Sequence, residues 1–247
     1  MTQAPEQHRI AQRRWGLMTN WIPRPQPGPG PYPQPKPTPS PTPPAPQTRA
    51  QVVVRRIYCS CTTEQGHDEV YYLFGGVNGA GAKVSHRGPD AWQSADADNA
   101  TAWDMNDSGD QQNRTLNAAI YDEALTSGET ATFACAFYES DSQDYGSTVA
   151  AAGKLAEGVG AELKSPLVTI AGKALEWIGS LIPKNQDDFL GAFSIRLANT
   201  NGQVRLAEVA AGTYARIVRQ DLASSTFTIG LRHDDGDYTV DFQVTGR

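Results

Sequence analysis

The sequence predicts a mainly β protein: an antiparallel β-sandwich with an inserted helical hairpin, preceded by a disordered proline-rich linker. Three observations carry this expectation. Of 17 prolines in 247 residues, 14 fall in the first 50 positions, a density that no helix or central strand tolerates. From Gln51 onward, short runs rich in Val, Ile, Tyr and Phe recur with turn residues between them. Only between Ser147 and Pro183 does the apolar spacing lengthen to three or four residues.

Residues 1–22 interleave Ile10, Trp15, Leu17, Met18, Trp21 and Ile22 with basic groups. As a helix, this is a short basic amphipathic segment suited to a membrane surface or a partner's groove. As a tail, it is disordered with incidental aromatics. Trp15 and Trp21 are the candidate partner-binding residues, because two solvated tryptophans are costly. The basic start is followed neither by a long apolar stretch nor by a small-residue cleavage site. The expectation is therefore no classical signal peptide, and a chain that is cytoplasmic or exported by a leaderless route. No window approaches the roughly 18 apolar residues that span a bilayer, so the chain is not expected to be transmembrane.

Residues 23–50 form the linker. From Pro23 to Pro46 the text is PRPQPGPGPYPQPKPTPSPTPPAP, in which each proline fixes its own φ and pushes its predecessor out of the α region. An extended polyproline II rod follows, spanning roughly 75 Å at about 3.1 Å per residue. Its PTPP and PPAP stretches also fit PxxP ligand spacing, as any tract this rich in proline does.

Residues 51–247 are the folded domain. Eight strands are expected: QVVVRRIYCSCT, EVYYLFGGV, LNAAIYDEALT, ATFACAFY, GAFSIRLANT, GTYARIVRQ, SSTFTIGLRH and DYTVDFQV. Asn201-Gly202 and Asp235-Gly236 are tight-turn signals, and short strands at short intervals indicate an antiparallel sandwich. In the insertion, 147–183, Val149, Ala152, Leu155, Val159 and Leu163 recur at helical spacing, then Leu167, Ile170, Ala174, Ile178 and Leu181. Ser165-Pro166 separates two helices as an N-cap and first-turn proline, and Pro183 stops the second. Both charge signs occur on its polar side (Lys154, Glu157, Glu162, Lys173, Glu176), which favours a lid across one end of the sandwich over a membrane-perturbing element at 147–182.

Charge divides at the linker. Residues 1–50 carry six basic residues and one acidic, a balance of +5, and the remainder carries 15 basic and 26 acidic, a balance of −11. Nucleic acid is thus not an expected partner of the folded part, since phosphate neutralisation needs clustered Lys and Arg. Three cysteines exclude a disulfide-dense scaffold; Cys59 and Cys61, two apart in a strand, should face one side with sulfurs too splayed to bridge.

The carboxylates gather in loops: HDE at 67–69, DADN at 96–99, DMNDSGD at 104–110, ESDSQD at 139–144, NQDD at 185–188 and HDDGD at 233–237. Crowded carboxylates repel, and calcium, a hard ion taking six to eight oxygens, is the natural compensating cation. Asp and Asn are also common turn residues, so acidic loops arise for solubility alone. Within the 104–110 loop, Asp104, Asp107 and Asp110 are secondary candidates. The segment imitates the first half of an EF-hand, but its twelfth position is Thr115 instead of Glu.

Asp68-Glu69-Val70-Tyr71 at the start of one strand, Glu139-x-Asp141 at the end of another, and Asp187-Asp188-Phe189-Leu190-Gly191 opening a third resemble the calcium loops of the C-two module, a lipid-binding β-sandwich. What the resemblance implies is a calcium site in which Asp68 takes the first ligand position, Glu139 and Asp141 the paired one and Asp188, beside Asp187, the last. DEVYYLFGGVNG, AWDMNDSGD, LNAAIYDEAL, FYESD, DDFLGAF and DGDYTVDFQV, in that order from about residue 52 to the C-terminus, also look like an uncharacterised bacterial group of C-two-like domains. The chain departs from the C-two pattern at Glu139, where Asp is usual, at Glu69-Val70, where Pro is usual, and in the insertion between Asp141 and Asp188.

Four histidines offer no metal spacing, and no nucleophile elbow, phosphate loop or dinucleotide fingerprint occurs. His67 beside Asp68 and His233 beside Asp234 are the only acid–base pairs in prospect, and both read more simply as loop decoration. The expected function is a non-enzymatic, calcium-dependent binding module on a polyproline spacer, with an unidentified protein, lipid or anionic ligand as partner. The alternative is a structural or exported cargo protein addressed by its N-terminal tail.

Overall fold

The computed structural model describes residues 45–63, 67–78, 80–88, 102–109, 112–140, 154–162, 165–167, 169–173, 187–233 and 236–247, together with 28 and 30. Most of the proline rod, Trp15 and Trp21, and the outer parts of the helical insertion lie outside the described residues.

The protein is mainly β, and every strand pairing is antiparallel. Eleven strands are described: β1 (Gln47–Cys61), β2 (Asp68–Val77), β3 (Lys83–Gly88), β4 (Trp103–Met105), β5 (Asn113–Thr126), β6 (Thr130–Ser140), β7 (Asp187–Thr200), β8 (Gln203–Ala211), β9 (Ala215–Asp221), β10 (Thr226–His233) and β11 (Gly236–Gly246). One sheet runs β5-β1-β11-β10-β9; the other runs β3-β2-β6-β7-β8, with β4 pairing to β2. Strand β1 begins at Gln47, immediately after Pro46, because proline supplies no N–H to a ladder and Gln47 is the first residue that can pair, with Thr126.

The sheets face one another across an aromatic core. Phe193 of β7 meets Phe242 of β11 with ring centroids 5.1 Å apart, and Phe242 stacks on Phe227 at 4.7 Å. Phe74, Phe133 and Tyr121 fill the same layer further along. The turn signal at Asn201-Gly202 is realised as a two-residue hairpin between Thr200 and Gln203, with φ of 54° and 82°.

A second apolar layer covers the outer face of the other sheet. Helices α1 (154–161) and α2 (167 and 169–173) meet at Ser165-Pro166, where the sequence places the break. Leu155, Val159, Leu167 and Ile170 are buried with Tyr71, Leu73, Val77, Ala134, Ala136, Tyr138 and Ala192. The described parts of the insertion therefore lie across a sheet face, which corrects the lid across one end of the sandwich that the sequence predicts. The reason lies in β6, whose Phe133, Cys135 and Phe137 enter the sandwich while its small Ala134 and Ala136 leave room for helices behind. A Cβ on Gly212 would fall 2.2 Å from the Ala171 carbonyl oxygen, so the backbone of α2 touches the turn after β8.

Two further expectations are corrected. Strands β3, β4 and β8 add to the eight expected, since β4 has only three residues and β3 and β8 mix charged residues among few large apolar ones. Cys59 is buried and Cys61 exposed, because a register shift between them turns β1 by one residue against β11.

Phe242→Ala, which removes the ring joining the two sheets, is expected to cost about 3–5 kcal/mol of unfolding free energy by urea titration. A loss under about 1 kcal/mol would show that the aromatic layer is not where the sandwich is held.

Candidate functional site

The sequence-derived carboxylates divide into three groups. Asp68 opens β2 and points into the sandwich, fully buried. Its Oδ2 accepts hydrogen bonds from the Thr63 N–H, at 2.8 Å, and from the Tyr238 hydroxyl. Burial first, and then the Asp68 charge, hold the Tyr238 hydroxyl far above its ordinary value. Cys59 stands beside them. Burial pushes its thiol up to about 12, against a weaker opposing hydrogen bond with Tyr238. Asp68, Tyr238 and Cys59 thus form a buried polar cluster in which carboxylate oxygen and hydroxyl satisfy one another.

Glu139 and Asp188 make the second group. The β6–β7 register sets them directly opposite one another at the strand ends, with Val70 of β2 on the far side of Glu139. Glu139 is 1% exposed, and Asp188 is half-buried. The neighbouring backbone pair is Ser140 with Asp187. Asp141 lies outside the described residues, as does the side chain of Asp187.

The third group is the EF-hand-like stretch, which the structure corrects. Asp104 is on β4, paired with Glu69, so it belongs to a strand and not to the loop expected from sequence. Its buried carboxylate meets His67 Nδ1 at 2.8 Å. Asn106 Oδ1 accepts from the Ser108 amide and hydroxyl, and Gly109 takes the positive φ of 69° that turns the chain. Asp107 is exposed on that turn; Asp110 lies outside the described residues.

The pairing of His67 with Asp68 is also corrected. Successive residues leave a strand on opposite sides, so Asp68 turns inward while His67 reaches Asp104 on the adjoining β4. His233 packs on Tyr214, ring centroids 3.9 Å apart, and Asp234 lies outside the described residues. Tyr238 was legible only as a strand residue, and no sequence signal marked it as the partner of Asp68.

Among the described residues, no three His, Cys, Asp or Glu side chains stand together in an arrangement able to hold a metal ion. Glu139 and Asp188 supply two adjacent carboxylates, a partial fit to an ion that takes six to eight oxygens. Of Asp68, the Oδ2 is taken up by Thr63 and Tyr238. No helix among the described residues is long and apolar enough to cross a membrane. No protein-family model matches the chain, and no curated protein matches it.

Three outcomes follow from the burial of these groups. Under native conditions at pH 8.5, a thiol reagent is expected to modify Cys61 quickly and Cys59 and Cys135 only after unfolding, read by mass spectrometry of the labelled chain. Since the folded state keeps the Cys59 proton, its contribution to stability is intact below the ordinary thiol value of 9.0 and declines as pH rises toward about 12. Separately, Tyr238→Phe leaves Asp68 buried with one hydrogen bond fewer, and a loss of about 1–3 kcal/mol in urea unfolding is expected.

Proposed function

We propose that this chain is a non-enzymatic binding module, a β-sandwich joined to a proline-rich spacer, whose strand-end carboxylates bind calcium and present it to an anionic partner. The supporting observation is that the β6–β7 ladder sets Glu139 directly opposite Asp188, so two carboxylate-bearing residues share one ladder position at the strand ends, and carboxylate oxygens are the ligands that calcium takes. Glu139 and Asp188 would hold the ion, with Asp141 two residues after Glu139 and Asp187 next to Asp188 in the chain as further candidates. The ion would supply positive charge and open coordination positions for a phosphate or carboxylate. Asp68 has a structural part in this reading: bound to Tyr238, it anchors the start of β2 beside the same strand ends. The likeness to C-two calcium loops supports the reading through its motif order.

Thermal unfolding of the full chain with calcium and with chelator tests it. At a hundredfold excess over Kd, calcium should raise Tm by about 5–10 °C for a domain of this size. Glu139→Gln with Asp188→Asn should abolish that increment. Identical melting with calcium and chelator sinks the metal claim.

A further inference from the structure

The exposed large hydrophobic side chains among the described residues are Tyr214, Ile217, Val218 and Leu222, at 46%, 39%, 53% and 45% exposure. All four fall within nine consecutive residues on and beside β9. This strand closes one side of the five-stranded sheet and pairs only with β10, so among the described residues its other edge carries no partner strand. A bulge at Val218, between the pairs Thr228–Arg219 and Ile229–Ile217, adds an apolar side chain to the strip. Exposed edges are ordinarily blunted by charge or cover.

The charges that β9 carries in its middle are both positive. Arg216 lies across Gly230, where a Cβ would meet its Nε at 2.9 Å, and Arg219 borders a shallow groove shared with Val218, Arg55 and Arg56. The nearest carboxylate on the strand, Asp221, accepts the amides of Ala223 and Ser224 at the turn. Arg56 is held by Asp241 at 2.8 Å. A basic and apolar strip thus lies on a domain whose sequence from residue 51 carries a balance of −11. A second copy of β9 would bring Arg216 and Arg219 of both chains into one short ladder, like charge against like. An acidic strand meets complementary charge instead.

We propose that the β9 edge docks an extended acidic segment of another polypeptide, added as a strand. Its backbone would complete the open ladder, its apolar residues would cover Ile217 and Val218, and its carboxylates would meet Arg216 and Arg219. This site is separate from the strand-end carboxylates and needs no metal.

The probe is a fluorescein-labelled peptide alternating Glu with Val, beside its Lys-for-Glu counterpart. Each is titrated by anisotropy into the full chain at low and high salt, with chelator present throughout. The acidic peptide should bind and weaken with salt, and its counterpart should not bind. Arg216→Glu with Arg219→Glu, checked for folding by circular dichroism, should weaken the acidic peptide by about tenfold or more and gain the basic one. Val218→Pro, which takes one N–H and the backbone freedom of one exposed apolar residue from β9, should weaken the acidic peptide without inverting the preference. The proposal is overturned if neither peptide binds, if both bind equally, or if charge reversal leaves the preference unchanged. It is equally overturned if sedimentation shows that β9 is occupied by a second copy, or if anionic vesicles bind the strip and the acidic peptide does not. Because chelator is present, a failed calcium melt leaves this outcome standing, and the reverse holds too.

Discussion

Strand β6 is covered on both sides. Phe133, Cys135 and Phe137 enter the space between the sheets, and Ala134, Ala136 and Tyr138 lie under the helices. That double burial sets the register of the whole second sheet. A slip of one residue would push phenylalanines under α1 and α2 and leave alanines to fill the sandwich, so the pairings of β6 with β2 and β7 tolerate no alternative. Gly76 shows how closely these strands are fitted: a Cβ there would stand 2.3 Å from the Thr132 carbonyl oxygen.

The strand-end chemistry depends on this register. Because Phe137 points inward, Glu139 does as well, and the ladder then puts Asp188 across from it. A shift between Phe137 and Tyr138 lets Leu190 enter the core while Asp188 still pairs with Glu139. At the same end, Asp68 is drawn inside by Tyr238 of the opposite sheet, so a side-chain hydrogen bond ties β2 to β11. Strand β9 is the contrasting case. It has one neighbour in its sheet and keeps its apolar side chains in solvent.

Much of the fold was legible because local chemistry decides it. Apolar runs mark eight of the strands, Asn201-Gly202 sets a hairpin, and Ser165-Pro166 divides the helices. The candidate site was legible only in part. The motif order marked Glu139 and Asp188, which the ladder does bring together. His67 was matched to its neighbour in sequence, whereas its partner Asp104 is 37 residues away. Cys59 and Cys61 were placed on one side because a bulge leaves no mark in a two-residue spacing.

What the sequence alone determined is the identity of the segments: proline-rich tract, β domain, inserted helices, acidic loops. These depend on backbone restriction and on period, which act over a few residues. Only the tertiary structure decided which face each segment covers, which carboxylates meet and which strand is left at an edge. Those outcomes depend on pairings between residues far apart in the chain, such as Asp68 with Tyr238 at a separation of 170, and no local pattern records them.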